Sequence, residues 1–129
     1  MILDTSAVVA LLLNEPEASQ FLTLVESADS IAIGAPTLLE CEMVLAKILG
    51  AEGLVRVDEF LRAVGVEILP FGERELAVAR TAFRSYGKGR ARAGLNFGDC
   101  FSYAIAITRD EPLLFKGRDF SQTDVRTAS

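Results

Sequence analysis

Met1-Ile2-Leu3-Asp4-Thr5-Ser6-Ala7-Val8-Val9-Ala10-Leu11-Leu12-Leu13 is the stretch from which the fold is read. Ile2-Leu3 begins a short strand, and Thr5 and Ser6 then offer capping oxygens for a helix through Leu13. The apolar run Ala7 to Leu13 is the longest in the chain, far short of the ~20 residues a membrane span needs. The same strand-then-helix pattern recurs further along. Pro16 suits the first turn of a helix from Glu17 to Ser27. Ile31 to Ile33 reads as a strand, broken by Gly34 and Pro36 before a helix from Thr37 to Leu49 that Gly50 closes. A helix from Leu54 to Val64 ends at Gly65, a strand from Val66 to Leu69 stops at Pro70, and a helix from Glu73 to Tyr86 closes at Gly87. After the loop Gly87 to Gly94 come a helix from Phe97 to Thr108, a strand from Leu113 to Phe115, and a turn or short helix from Asp119 to Asp124. Short apolar strands alternating with helices predict an α/β layer fold with a mainly parallel sheet.

The chain has 129 residues, enough for a single domain spanning residues 1–129. Half of them are apolar and 24% are charged, which argues against disorder. The apolar surplus has two readings, a generous core or a surface that a partner covers. The chain enters a strand at once, without a basic region or cleavage site, so no signal peptide is expected. Cys41 and Cys100 are too few for a disulfide framework or a zinc site, and read as reduced core residues of a cytoplasmic protein.

Histidine is absent. Ser-His and Cys-His nucleophile pairs and histidine-ligated zinc are thereby excluded, and a hydrolase built from this chain must rely on carboxylates acting through a hard metal ion. The formal net charge is −5, an unusual sign for a protein that handles nucleic acid. Between Glu75 and Asp99, however, there is no acid, while Arg80, Arg84, Lys88, Arg90 and Arg92 fall there. Such a stretch is a candidate phosphate-contacting patch. Taken alone, it reads equally as a solvated helix face followed by a loop.

Ligands of a parallel sheet gather beyond the carboxyl ends of its strands. Asp4 lies just past the first strand, Asp119 past the last, Asp99 opens the Phe97 helix, and Glu40 falls in the first turn of the helix after Ile31–Ile33. Each alone reads as a helix cap, a turn residue or a solvated side chain. The set is another matter. Two unit charges ~4 Å apart repel by about 4 kcal/mol at an effective dielectric of ~20, and a magnesium or manganese ion reverses that sign. Periodicity leaves one choice open: Glu40 and Glu42 point nearly opposite ways on a helix apolar almost all round, and Glu42 falls among Leu38, Leu45 and Leu49.

These residues resemble a known family along the whole chain. Leu3-Asp4-Thr5-Ser6-Ala7 resembles the opening motif of PIN domains, and Leu38-Leu39-Glu40 resembles the motif of their second acid, which favours Glu40 over Glu42. Tyr86-Gly87-Lys88-Gly89 followed by Leu95-Asn96-Phe97-Gly98-Asp99-Cys100-Phe101-Ser102-Tyr103-Ala104 is the most specific stretch, similar to the segment carrying the third acid in VapC toxins. Leu113-Leu114-Phe115-Lys116-Gly117-Arg118-Asp119-Phe120, with Thr123-Asp124, resembles their closing motif. The resemblance implies a PIN-like three-layer fold, a mainly parallel sheet flanked by helices. It implies metal-dependent hydrolysis of RNA phosphodiesters, with Asp4 and Asp99 as ligands of Mg2+ or Mn2+ and Glu40 binding directly or through water. Asp119 is implied as a residue behind the ligands or at a second metal, with Asp124 a weaker candidate, and Thr5 or Ser6 as orienting a metal-bound water. Lys88, Arg90 and Arg92 are the RNA-contacting candidates. The resemblance also implies a homodimer and a small cognate antitoxin whose C-terminal segment lies over the site.

Three other functions compete with a toxin. An RNA-processing PIN nuclease without an antitoxin would carry the same motifs. A binding module that has lost its chemistry is disfavoured by the joint presence of Asp4, Glu40, Asp99 and Asp119. A phosphatase of the Asp-x-Asp type lacks its second aspartate, because Asp4 is followed by Thr5-Ser6.

Overall fold

The computed structural model describes residues 1–89 and 91–129; Arg90, in the basic loop, lies outside the described residues. In chain order the elements are β1 (Ile2–Leu3), α1 (Thr5–Leu12), α2 (Ala18–Ser27), β2 (Ala32–Gly34), α3 (Ala35–Leu49), α4 (Ala51–Val64), β3 (Glu67–Leu69), α5 (Glu73–Tyr86), α6 (Phe97–Arg109) and β4 (Leu113–Leu114). The strands form one sheet in the order β3-β2-β1-β4, all pairs parallel. Ile2 is in register with Ala32 on one side and Leu113 on the other, and Leu3 with Leu114. Beyond β4 the C-terminal tail adds a bridge between Leu113 and Thr127.

Strand side chains alternate between two faces, and the alternation builds two cores. Ile2, Ala32 and Leu113 pack with Ala82 of α5 and with Tyr103, Ile105 and Ala106 of α6. Leu3, Ile33 and Leu114 pack with Ala7, Val8 and Ala10 of α1, Phe21 and Val25 of α2, and Cys41 of α3. The expected three-layer arrangement follows: the sheet is covered on both faces along β1, β2 and β4, whose residues are uncharged and buried as parallel sheets require, while the edge strand β3 carries exposed Glu67 and Ile68. Ile2, Leu3, Ile33, Leu113 and Leu114 are each at most 2% exposed, and burying such a side chain stabilises by about 1.5–3 kcal/mol. Gly34 ends β2 against α6; a Cβ there would lie 2.9 Å from Ile105 Cγ1, so glycine lets the helix close onto the strand.

Several boundaries differ from the sequence reading, each for a physical reason. Helix α3 begins at Ala35, because Pro36 falls in its first turn, where a missing N–H costs nothing. Glu40 is therefore in the second turn. Helix α4 begins at Ala51, three residues early, and Gly53 is what its entry needs: a Cβ there would come within 2.4 Å of the Leu45 carbonyl oxygen of α3. The Asp119–Asp124 segment forms turns and no helix, held by hydrogen bonds from Ser121 N–H to Arg118 O and from Thr123 N–H to Phe120 O. Cys41 and Cys100 are both free thiols. Among the described residues no helix is long and apolar enough to cross a membrane.

Topology selects one place for a ligand. The chain adds β2 and β3 on one side of β1, then crosses over to lay β4 on the other. Strand order thus reverses between β1 and β4, and a crevice opens beyond the carboxyl ends of these two strands.

Candidate active site

Asp4 leaves β1 at that crevice. Its backbone N–H bonds to Leu114 O of β4 at 3.0 Å, and its side chain caps α1 by accepting from Ser6 N–H at 3.0 Å. The carboxylate is only 5% exposed and is gripped on both oxygens. Ser6 Oγ donates to Oδ2 at 2.6 Å and Ser102 Oγ donates to Oδ1 at 2.6 Å. Ser6 Oγ in turn accepts from the Lys116 N–H just past β4, at 2.9 Å.

Asp99 enters from the first turn of α6. It forms a reciprocal capping box with Asn96: the Asp99 N–H donates to Asn96 Oδ1 at 2.9 Å, and Asp99 Oδ2 accepts from the Asn96 N–H at 3.0 Å. One carboxylate oxygen is thereby committed to the backbone. The carboxyl is pushed up to about 6, first by burial and then by the charges of Asp4, Asp119 and Glu40, against the lowering effect of the Asn96 N–H. Three other carboxylates thus act electrostatically on Asp99.

Glu40 reaches the site from α3. The Thr5 hydroxyl donates to its Oε1, and Gly98 lies so close that a Cβ there would come within 2.2 Å of Oε2. Asp119 stands exposed at the rim, in the turn after β4. Asp4, Glu40, Asp99 and Asp119 line a single pocket together with Thr5, Ser6, Glu15, Asn96 and Lys116, walled by Val9, Val44 and Phe120. Glu42 is not in its lining. Asp124 is also elsewhere, accepting from the Tyr103 hydroxyl at 2.5 Å; burial and this acceptor both raise the tyrosine.

Lys88 and Arg92 are exposed on the loop after α5. Lys88 flanks a separate apolar groove with Arg80, Leu76 and Phe97, a groove that meets the acidic pocket at Asn96. Among the described residues, the one cation lining the acidic pocket is Lys116, whose Nζ pairs with Glu15 and, at 3.4 Å, with Glu17.

Sequence reasoning missed Ser102, Asn96, Gly98 and Lys116. Two of them had a signal. Ser102 lies three residues after Asp99, on one helix face, and Asn96 lies three before it, the spacing of a capping box. Gly98 and Lys116 gave none, since both act through contacts distant in sequence.

The donor set suits a hard divalent cation: it is all oxygen, and the neighbouring Cys41 thiol is pushed up to about 12 by burial, which keeps it protonated. The mutual charge that raises Asp99 is the unfavourable term a cation would relieve. Among the described residues no three acidic or sulfur side chains are gathered closely enough to hold a metal ion on their own. A magnesium ion does not require that, since it commonly takes one or two carboxylates and completes its shell with water and substrate phosphate.

Fold and pocket together define a carboxylate site at the switch point of a parallel sheet, and comparison with known proteins gives it a family. The PIN-domain family model matches residues 1–126. Ribonuclease VapC30 of Mycobacterium tuberculosis is 42% identical over 129 residues, covering 100% of this chain and 98% of the relative. Ribonuclease VapC of Mycolicibacterium smegmatis is 42% identical over 125 residues, covering 97% of each. The crystal structure of Mycobacterium tuberculosis VapC20, a Sarcin-Ricin loop cleaving toxin, matches with a TM-score of 0.78 at 16% identity, covering 96% of this chain and 95% of that one. VapBC2 from Rickettsia felis, bound to a DNA fragment from its promoter, matches with a TM-score of 0.73 at 20% identity, covering 98% and 94%. The chain belongs to the PIN-domain family, among its VapC ribonucleases.

Proposed function

We propose that this protein is a Mg2+- or Mn2+-dependent endoribonuclease that acts as the toxin of a toxin–antitoxin pair. The observation that carries the chemistry is the acidic pocket itself: Asp4, Glu40, Asp99 and Asp119 line one crevice, where burial first and then the charges of the other three push the Asp99 carboxyl up. Asp4 and Asp99 would hold the cation, with Glu40 reaching it directly or through water and Asp119 acting from the rim. When bound, the ion supplies Lewis-acid stabilisation of the phosphoryl oxygens and an activated water.

The chain's own residues set the geometry for that chemistry. Ser6 and Ser102 fix the plane of the Asp4 carboxylate. Asn96 occupies one oxygen of Asp99 and leaves the other for the pocket. Thr5 restrains Glu40. Lys88 and Arg92, with Arg90, would neutralise backbone phosphates of the RNA near the site. An exposed apolar surface beside the pocket, Leu39 at 57%, Met43 at 65% and Phe97 at 82% exposed, supports the homodimer and antitoxin readings, because monomers seldom leave such side chains adjoining in water. Similarity to VapBC2 supports an antitoxin partner.

Purified protein incubated with single-stranded RNA tests the proposal. Cleavage is expected with Mg2+ or Mn2+, and loss of it with chelator or with Asp4→Ala or Asp99→Ala. Full cleavage in excess chelator would overturn it.

A further inference from the structure

Ser102 is placed where a core residue would do, at the centre of α6 and 1% exposed. A serine inside a helix usually turns its hydroxyl back to the carbonyl one turn earlier or out to water. Ser102 does neither. Its hydroxyl crosses to β1 and donates to Asp4 Oδ1 at 2.6 Å, 98 residues away in the chain. Behind it stands Thr37 of α3, 2% exposed, with its Oγ1 3.3 Å from Ser102 Oγ.

Proton counting gives this contact a direction. A hydroxyl has one hydrogen, and an ionised carboxylate can only accept. The Ser102 hydrogen is committed to Asp4, so the Thr37–Ser102 bond must run from Thr37 as donor. On the other oxygen the order is the same: Lys116 N–H donates to Ser6 Oγ, and Ser6 donates to Asp4 Oδ2. Two one-way chains, one from α3 through α6 and one from the end of β4 through α1, terminate on the two oxygens of one carboxylate. Together they fix its plane against the crevice.

We infer that Ser102, oriented by Thr37, is a positioning residue that holds the Asp4 carboxylate in the orientation a divalent cation requires. The inference rests on the proposal that Asp4 is a metal ligand. Residues behind a ligand normally set its direction and basicity, and their removal weakens metal binding by about 10–100-fold.

Mn2+ alone is the probe, with free ion read from its paramagnetic resonance signal during titration of the purified protein, and folding checked by thermal melts in chelator. Ser102→Ala is expected to raise the Mn2+ dissociation constant at least ~10-fold while still melting cooperatively. Ser102→Thr, which keeps the hydroxyl, should recover most of the affinity. Thr37→Val keeps the shape of Thr37 and removes its donor; it should weaken Mn2+ binding in the wild-type background and add nothing to Ser102→Ala. That non-additivity is what a merely structural serine would not produce. Should Ser102→Ala fail to fold, Thr37→Val decides alone. Wild-type affinity in Ser102→Ala or Thr37→Val, or a further loss on combining them, overturns the inference while leaving the metal proposal intact. A wild type that binds no Mn2+ overturns both.

Discussion

Asp99 takes up a proton in the folded chain at a higher pH than it does unfolded, because burial and three neighbouring acids push its carboxyl up to about 6. Below roughly pH 6 and down to the ordinary aspartate range near ~3.9, the folded state holds more protons than the unfolded one. The Asp99 contribution to stability therefore grows as pH falls through that window and is lost as pH rises through about 6. In chelator, the wild type should gain more melting temperature between pH 7 and pH 5 than Asp99→Asn does; parallel curves would exclude Asp99 as the source. Glu40 supports a second test. Its carboxylate touches Gly98, and the group a Gly98→Ala Cβ would strike is the far end of a flexible side chain, so the fold can yield where the site cannot. Gly98→Ala should melt close to the wild type yet lose activity in the same direction as Glu40→Gln, for which a fall of about 100-fold is expected, the size of one electrostatic contact in an active site. Glu42→Gln, outside the pocket, should leave cleavage nearly unchanged in the same assay.

At the scale of elements, the capping box that starts α6 also aims Asp99, so stability and chemistry meet at Asn96. Asn96→Ala should cost about 1 kcal/mol, lowering the melting temperature by ~3–5 °C, while Asn96→Ser, an equally good cap that adds no charge to the acidic pocket, should cost little. A calorimetric scan of both variants separates the outcomes, and equal stability of Asn96→Ala and wild type would contradict the cap. The elements themselves were largely legible, because glycine and proline mark their ends: Gly50, Gly65 and Gly87 all stand at the predicted helix stops. Pro36 and Gly53 misled the reading of the α3 and α4 starts, since one is tolerated in a first turn and the other is needed by a neighbouring helix rather than by its own. Of the site, the four acids were legible from motif and strand-end position. The choice of Glu40 over Glu42 came from family likeness alone, and helical periodicity could not make it. The hydroxyls of Ser102 and Thr37 stayed hidden because their partners are 98 and 65 residues away, a separation no local pattern records.

Across the whole molecule, charge is divided: the net value is −5, Asp4, Glu15, Glu40, Asp99 and Asp119 line the crevice, and the charged residues from Arg80 to Arg92 are all basic. If that stretch meets RNA phosphates, replacing Lys88, Arg90 and Arg92 together with Ala should flatten the salt dependence of RNA binding, by up to about 2 in the log–log slope for three lost single-strand contacts. An unchanged slope in a filter-binding titration would return these side chains to the role of solvated surface. The sheet order carries another consequence, concerned with when the site exists rather than how it works. Asp4 is synthesised long before Leu114, yet its strand lies beside β4, and its backbone N–H bonds to Leu114 O. Synthesis at ~5–20 residues per second puts on the order of ten seconds between these two partners. During that interval β1 has only β2 beside it, and Ser6 lacks the Lys116 N–H. Nascent chains on a polysome, next to the message that encodes them, are thus held short of the complete crevice until β4 and Lys116 emerge.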